Sequence, residues 1–169
     1  SFCFGIIFMN FLVKKLLNNL KKKKLSISVA ESCTGGLLSS ALTSFSGASN
    51  YFTYGLITYS NQSKTSLLKI PKNFLIKNGA VSKKTSIIMV KNLNKASKAD
   101  ISISITGIAG PTGGTPNKPV GLVYLSIKFK KKIITKKLLF KKKNRKFIQK
   151  ETVKKALKLI NNSIARQKT

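Results

Sequence analysis

The hydroxyl of Ser32 and the thiol of Cys33 stand side by side in Glu31-Ser32-Cys33-Thr34-Gly35-Gly36. Either becomes a nucleophile once a base takes its proton. The chain contains no histidine, so a Ser-His-Asp or Cys-His mechanism is excluded within it. Lysine is the realistic alternative base. An ordinary lysine is protonated at neutral pH, but burial beside apolar groups, or other positive charges nearby, lowers its pKa. Lys64 is the candidate because it follows a strand end and shares its loop with Tyr59. The competing readings are bland ones. Ser32 or Thr34 would simply cap a helix, and Lys64 would be one more solvated surface lysine.

The elements around these residues favour a common site. Leu25, Ile27 and Val29 alternate with small residues, the period of a strand with unequal faces. After the Gly-containing turn, Leu37 to Phe45 is spaced like a buried helix. A strand feeding a short turn and then a helix aims unpaired backbone N–H groups at one point, which suits an anion or a developing oxyanion. Tyr51 to Tyr59 is rich in aromatic and β-branched residues and predicts a second strand. Ser60 to Lys64 begins a short helix that Pro71 ends. Gly79-Ala80-Val81-Ser82 predicts a turn, with Ser82 capping a helix to about Lys95. Asp100 to Thr106 alternates as a strand, followed by a long Gly/Pro-rich loop from Gly107 to Pro119. Val120 to Phe129 and Ile133 to Phe140 predict an antiparallel pair. Asn144 opens a last helix with Ile148, Thr152, Ala156, Leu157, Ile160 and Ile164 on its buried side.

Strands alternating with helices predict an α/β layered domain, with a mostly parallel sheet that includes an antiparallel strand. Ligands in such sheets collect at the carboxyl ends of strands. Three loops sit there: Glu31 to Gly36, Tyr59 to Lys64 and Thr106 to Gly114.

Composition sets the limits. The chain has 169 residues, 42% hydrophobic, enough for one domain with a proper core. Its 33 basic residues against 3 acidic ones give a net charge of +30. Only Arg145 and Arg166 are arginine, which leaves 31 lysines. Nucleic-acid modules usually exploit the arginine fork, so scattered lysine points to compositional drift, with non-specific binding to nucleic acid at low salt. Glu31, Asp100 and Glu151 are the only carboxylates. They form no cluster for a hard cation, and two distant cysteines without histidine make no zinc site. Two cysteines are also no disulfide framework, and a reduced, cytoplasmic setting is expected.

The apolar start, Ser1 to Val13, is too short to cross a bilayer and lacks the leading positive charge of a secretory signal. With Met9 as the start, Asn10 is predicted to cap a helix using Leu12, Val13, Leu16, Leu17 and Leu20. Residues 1–8 would then be an upstream extension without a role in the fold, and 9–169 the single domain.

Four blocks together resemble the CinA C-terminal domain family. They are Ala30 to Gly36, Thr58 to Lys64, Gly79 to Ser82, and Thr106 to Pro111 with Gly113 to Pro116 and Lys118 to Gly121. They occur in family order and at family spacing. The resemblance implies a three-layer α/β/α domain and a nicotinamide-nucleotide amidase, hydrolysing nicotinamide mononucleotide to nicotinate mononucleotide and ammonia without metal or cofactor. It implies Ser32 as nucleophile, Lys64 as base, and Tyr59 orienting Lys64 or relaying its proton. Glu31, Cys33, Thr34, Gly35, Thr106, Gly107, Gly110 and Arg145 are implied as substrate contacts, the backbone near Cys33 to Gly35 holding the oxyanion. The chain departs from the family pattern at Lys83 and Lys84, where acidic residues are common. It departs again at Gln149, where a second Arg usually follows Arg145 by one helical turn. The loss of that second Arg would weaken anion binding or a subunit contact. A homo-oligomer, taken as a dimer, is expected. The alternative is a protein that keeps the nucleotide pocket without turnover, or one that associates with nucleic acid.

Overall fold

The computed structural model describes residues 2–141 and 144–166, with side chains from Ile7 onward. Five strands form one sheet in the order β2-β1-β3-β4-β5. They are β1 (Ile27–Glu31), β2 (Phe52–Ile57), β3 (Ile101–Gly107), β4 (Leu122–Phe129) and β5 (Lys132–Leu139). β1 pairs parallel with β2 on one side and β3 on the other. β4 runs antiparallel to β3, and β5 antiparallel to β4. Only β4 therefore points against the rest, as expected for a mostly parallel sheet with an antiparallel strand.

Helices cover both faces. α1 (Phe2–Lys23), α2 (Leu37–Thr43) and α6 (Arg145–Ala165) lie on one; α3 (Asn61–Leu68), α4 (Lys72–Asn78) and α5 (Lys83–Ser97) lie on the other. The first face holds the larger core, where Ile27, Val29, Ile101, Ile103 and Ile105 meet Leu16 and Leu20 of α1 and Leu157 and Ile160 of α6. Removing such side chains from water is the main stabilising term.

The second face explains the alternation in β1 and β3. Ser28, Ser102 and Ser104 are completely buried beneath α5 rather than facing water. Small side chains let the helix approach closely, and each hydroxyl finds a partner, as burial requires. Ser28 Oγ lies 2.8 Å from Ser102 Oγ, Ser97 of α5 donates to Ser28 at 2.9 Å, and Ser104 donates to the Ser86 carbonyl at 2.7 Å.

Local signals place most boundaries. Ser60 caps α3 through a reciprocal bond with Ser63, and Ser82 accepts from Thr85 N–H at the start of α5. Asn144 Oδ1 accepts from Phe147 N–H at the start of α6. Two expectations are corrected. Asn10 is no cap, because α1 runs unbroken from Phe2 through it. Phe8 also packs, partly buried, against the core, with Lys158 Nζ 5.0 Å from its ring centroid. And Pro71 does more than end a segment: it begins α4, a helix the sequence reading lacked. Proline suits a helix start, where no intrahelical acceptor awaits its missing N–H.

Candidate active site

Because β1, β2 and β3 are parallel, the loops after them open at the same end of the sheet. Ser32 leaves the end of β1, Thr58 and Tyr59 leave β2, and Thr106 and Gly107 close β3. The capping box at Ser60 fixes the first turn of α3 and so directs Lys64, one turn in, back towards β1.

Among the described residues Lys64 is the largest fully buried side chain, 1% exposed. Its Nζ lies 3.0 Å from Ser32 Oγ and 2.7 Å from the Thr58 carbonyl. Burial lowers its pKa from 10.5 to about 8, the Cys33 sulfur opposing the shift. An amine poised near neutrality against a serine hydroxyl is the arrangement needed for proton transfer. The adjacent thiol goes the other way. Burial pushes Cys33 up to about 12, against the lowering effect of a backbone hydrogen bond, so it stays protonated.

The turn around Ser32 is held from three sides. Gly35 and Gly36 take φ of 60° and 100°, left-handed values that favour glycine. A Cβ on Gly36 would also meet Ile57 Cδ1 at 3.0 Å. Gly35 N–H donates to the Ser32 carbonyl at 3.0 Å, so it is spent within the turn. Among the described residues, the N–H groups of Cys33 and Thr34 donate to no backbone carbonyl outside regular elements. Gln149 Nε2 of α6 donates to the Cys33 carbonyl at 2.9 Å.

Several of the expected substrate contacts have structural work in the fold. Glu31 is wholly buried, and its carboxylate accepts from Leu38 N–H at 3.0 Å, Ser39 N–H at 2.8 Å and Ser39 Oγ at 2.7 Å. Gly36 gives α2 no side-chain cap, and Glu31 supplies one from the preceding strand. A carboxylate there also complements the helix dipole. Thr106 Oγ1 donates to the Ala80 carbonyl at 2.7 Å, fastening the Gly79–Ser82 turn to β3. Gly107 lets β4 approach: a Cβ there would lie 2.8 Å from the Leu122 carbonyl oxygen. Thr34 is buried, and its Oγ1 has no partner among the described residues.

Tyr59 is placed differently from expectation. Its hydroxyl accepts from Arg145 Nη2 at 2.6 Å, and Arg145 Nη1 donates to the Gly110 carbonyl at 2.8 Å. Lys64 Nζ is bonded to Ser32 and Thr58, not to Tyr59. Tyr59 and Arg145 thus join the loop after β2, the Gly/Pro loop and the start of α6 into one rim. Thr58 entered the sequence analysis only as part of a motif and Gln149 only as a departure from the family pattern, neither with the contact it makes here. A backbone carbonyl leaves no trace in side-chain chemistry, whereas Gln149 had one: it follows Arg145 by four residues, on the same helix face.

Among the described residues there is no group of three or more His, Cys, Asp or Glu able to hold a metal. No described helix is long and apolar enough to cross a membrane.

Known proteins are similar to this chain in sequence and fold. Residues 9–164 match the CinA C-terminal domain family. A CinA-like protein of Kosmotoga olearia is 51% identical over 123 residues, covering 73% of this chain and 30% of the relative. The chain spans about a third of the length of the curated relatives it matches, 29% for one from Thermoanaerobacter pseudethanolicus and 36% for one from Clostridium botulinum. Among solved structures, the competence/damage inducible protein CihA from Agrobacterium tumefaciens superposes with a TM-score of 0.89 at 33% identity, over 94% of this chain and 96% of that one. The competence damage-inducible protein A of Klebsiella pneumoniae gives 0.90 at 27% identity, over 95% and 99%. With a family match across nearly its whole length and the same fold at over 90% coverage, the chain belongs to the CinA C-terminal domain family.

Proposed function

We propose that this domain is an amidohydrolase that converts nicotinamide mononucleotide to nicotinate mononucleotide and ammonia by a Ser-Lys mechanism. The observation that carries the reading is the buried contact of 3.0 Å between Lys64 Nζ and Ser32 Oγ, together with the family membership. Neutral Lys64 takes the Ser32 proton as Oγ attacks the carboxamide carbon. The carbonyl oxygen becomes an oxyanion, and the N–H groups of Cys33 and Thr34 are the donors for it. Lys64 then returns the proton to the leaving nitrogen, ammonia departs, and an ester to Ser32 remains. Lys64 next deprotonates a water that attacks the ester, and Ser32 leaves with that proton. The Thr58 carbonyl holds the amine in line throughout.

Arg145 is the group proposed to meet the substrate phosphate. A guanidinium carries more N–H donors than its bonds to Tyr59 and Gly110 use. The test is ammonia release from nicotinamide mononucleotide, with nicotinamide riboside and free nicotinamide as comparison amides. Activity on the mononucleotide that disappears in both Ser32→Ala and Lys64→Ala, with unchanged circular dichroism, is expected. No turnover of any of the three by the folded wild type would refute the proposal. An active Ser32→Ala variant would refute the mechanism.

A further inference from the structure

Three groups of lysines that lie far apart in sequence end at one place. The register of the sheet aligns Ile27, Ile101, Phe129 and Lys132 across β1, β3, β4 and β5. That line closes the end of the sheet opposite Ser32. Lys24 stands three residues before Ile27, Lys98 three before Ile101, and Lys130 directly after Phe129. With Lys21 to Lys23, Lys95, Lys131 and Lys132 they make nine exposed lysines on three neighbouring connections. Asp100 is the one carboxylate in these connections. Its Oδ2 accepts from Ser26 N–H at 2.8 Å and from Ser26 Oγ at 2.7 Å, which fastens the connections into β1 and β3 side by side.

Two ordinary accounts leave part of this unexplained. Lysines in the last turns of α1 and α5 complement the helix dipoles, but Lys130 to Lys132 follow a strand. Compositional drift supplies lysine anywhere, yet it does not direct lysine to left-handed backbone. Among the described residues, every non-glycine residue with positive φ is a lysine, and Lys24, Lys98 and Lys130 are three of the four, at 52°, 53° and 53°. Glycine or asparagine suits such a backbone better, and asparagine is common in this chain. Each of the three connections therefore puts an ammonium group where a neutral side chain would fit with less strain.

We propose that this end of the sheet is a docking surface for double-stranded DNA, held through its phosphates. The chemistry selects the occupant. Lysine tips are point charges that suit phosphate, and these connections hold no arginine to fork onto a base. Phe129 is buried, so no exposed ring is present there for the unpaired bases of a single strand to stack on. None of the exposed large hydrophobic side chains among the described residues belongs to these connections, so a lipid surface finds nothing to insert. An ammonium group only donates, and offers no acceptor to the 2′-hydroxyls by which proteins select RNA. From β1 to β5 is three strand intervals, about 15 Å, over which DNA carries about nine charges, about half of them on the near side. The surface is a strand's length from Ser32, so docking is independent of amide hydrolysis.

The test is fluorescence anisotropy of a labelled DNA duplex of about 20 base pairs with the full chain, repeated over a range of salt. The logarithm of affinity should fall against that of salt with a slope of about −4. Lys24→Asn, Lys98→Asn and Lys130→Asn combined keep a residue that tolerates left-handed backbone. Together they should flatten the slope by about 3 and weaken binding more than about tenfold at about 0.1 M salt. Lys69→Asn, Lys72→Asn and Lys77→Asn combined remove the same charge elsewhere, and should change the slope by less than about 1. Acetylation of the wild type, read by mass spectrometry, supplies a check that needs no variant. The duplex should protect Lys24, Lys98 and Lys130 and leave Lys69, Lys72 and Lys77 as reactive as before. No duplex binding at about 0.1 M salt, an equal loss in both triple variants, or even protection of all six lysines overturns the proposal. So does tighter binding to a single strand, to an RNA duplex of the same sequence, or to phosphatidylserine vesicles.

Discussion

Titrating amide hydrolysis against pH tests Lys64 most directly. Its pKa is lowered from 10.5 to about 8 by burial. The sign follows from the role: a general base works unprotonated, so kcat/KM should climb with pH and level off above about 8. At neutral pH about one molecule in ten carries the neutral amine, against about one in three thousand for an unshifted lysine, a gain of about 300-fold. The assay is ammonia release at subsaturating substrate across the neutral and alkaline range. Lys64→Arg is the control, because a guanidinium stays protonated throughout. It should be inactive at every pH while remaining folded. A limb that continues rising towards 10.5, a flat profile, or activity in Lys64→Arg would refute the reasoning.

Cys33→Ala should cost less than about tenfold in kcat, and iodoacetamide should leave the native thiol unmodified, because burial holds it protonated at about 12. Rapid alkylation, read by mass spectrometry, would contradict this. Glu31→Gln should lower unfolding free energy by about 1–3 kcal/mol in urea, since the amide cannot accept all the bonds from Leu38 and Ser39 that the carboxylate does. Gln149→Ala frees the Cys33 carbonyl. It should reduce kcat about tenfold with little change in KM, because the turn that presents the oxyanion donors loosens. An effect on KM alone would assign Gln149 to substrate binding.

Much of the site was legible in the chain itself, for physical reasons. The lack of histidine forces a search for another base. The strand–turn–helix around Ser32 is marked by alternation, then glycine, then helical spacing. The cap at Ser82, and the helix starts at Ser60 and Asn144, were readable because a side-chain oxygen three residues before an orphan N–H is a local signal. The helix at Lys72–Asn78 was not, because Pro71 reads equally as an end or a beginning. Asn10 misled for a related reason. A good capping residue inside a longer apolar run is overridden when the helix continues through it to pack Phe8.

Residue types and local periodicity alone determined a layered α/β chain without histidine, in which lysine is the realistic base for Ser32. Tertiary structure brought Lys64 to Ser32, closing 32 positions of sequence to a buried contact of 3.0 Å. It also turned Glu31 into a helix cap and gave Tyr59 to Arg145 rather than to Lys64. Partners distant in sequence are chosen by strand order and helix packing, and burial, which moves a pKa, exists only once those layers have closed.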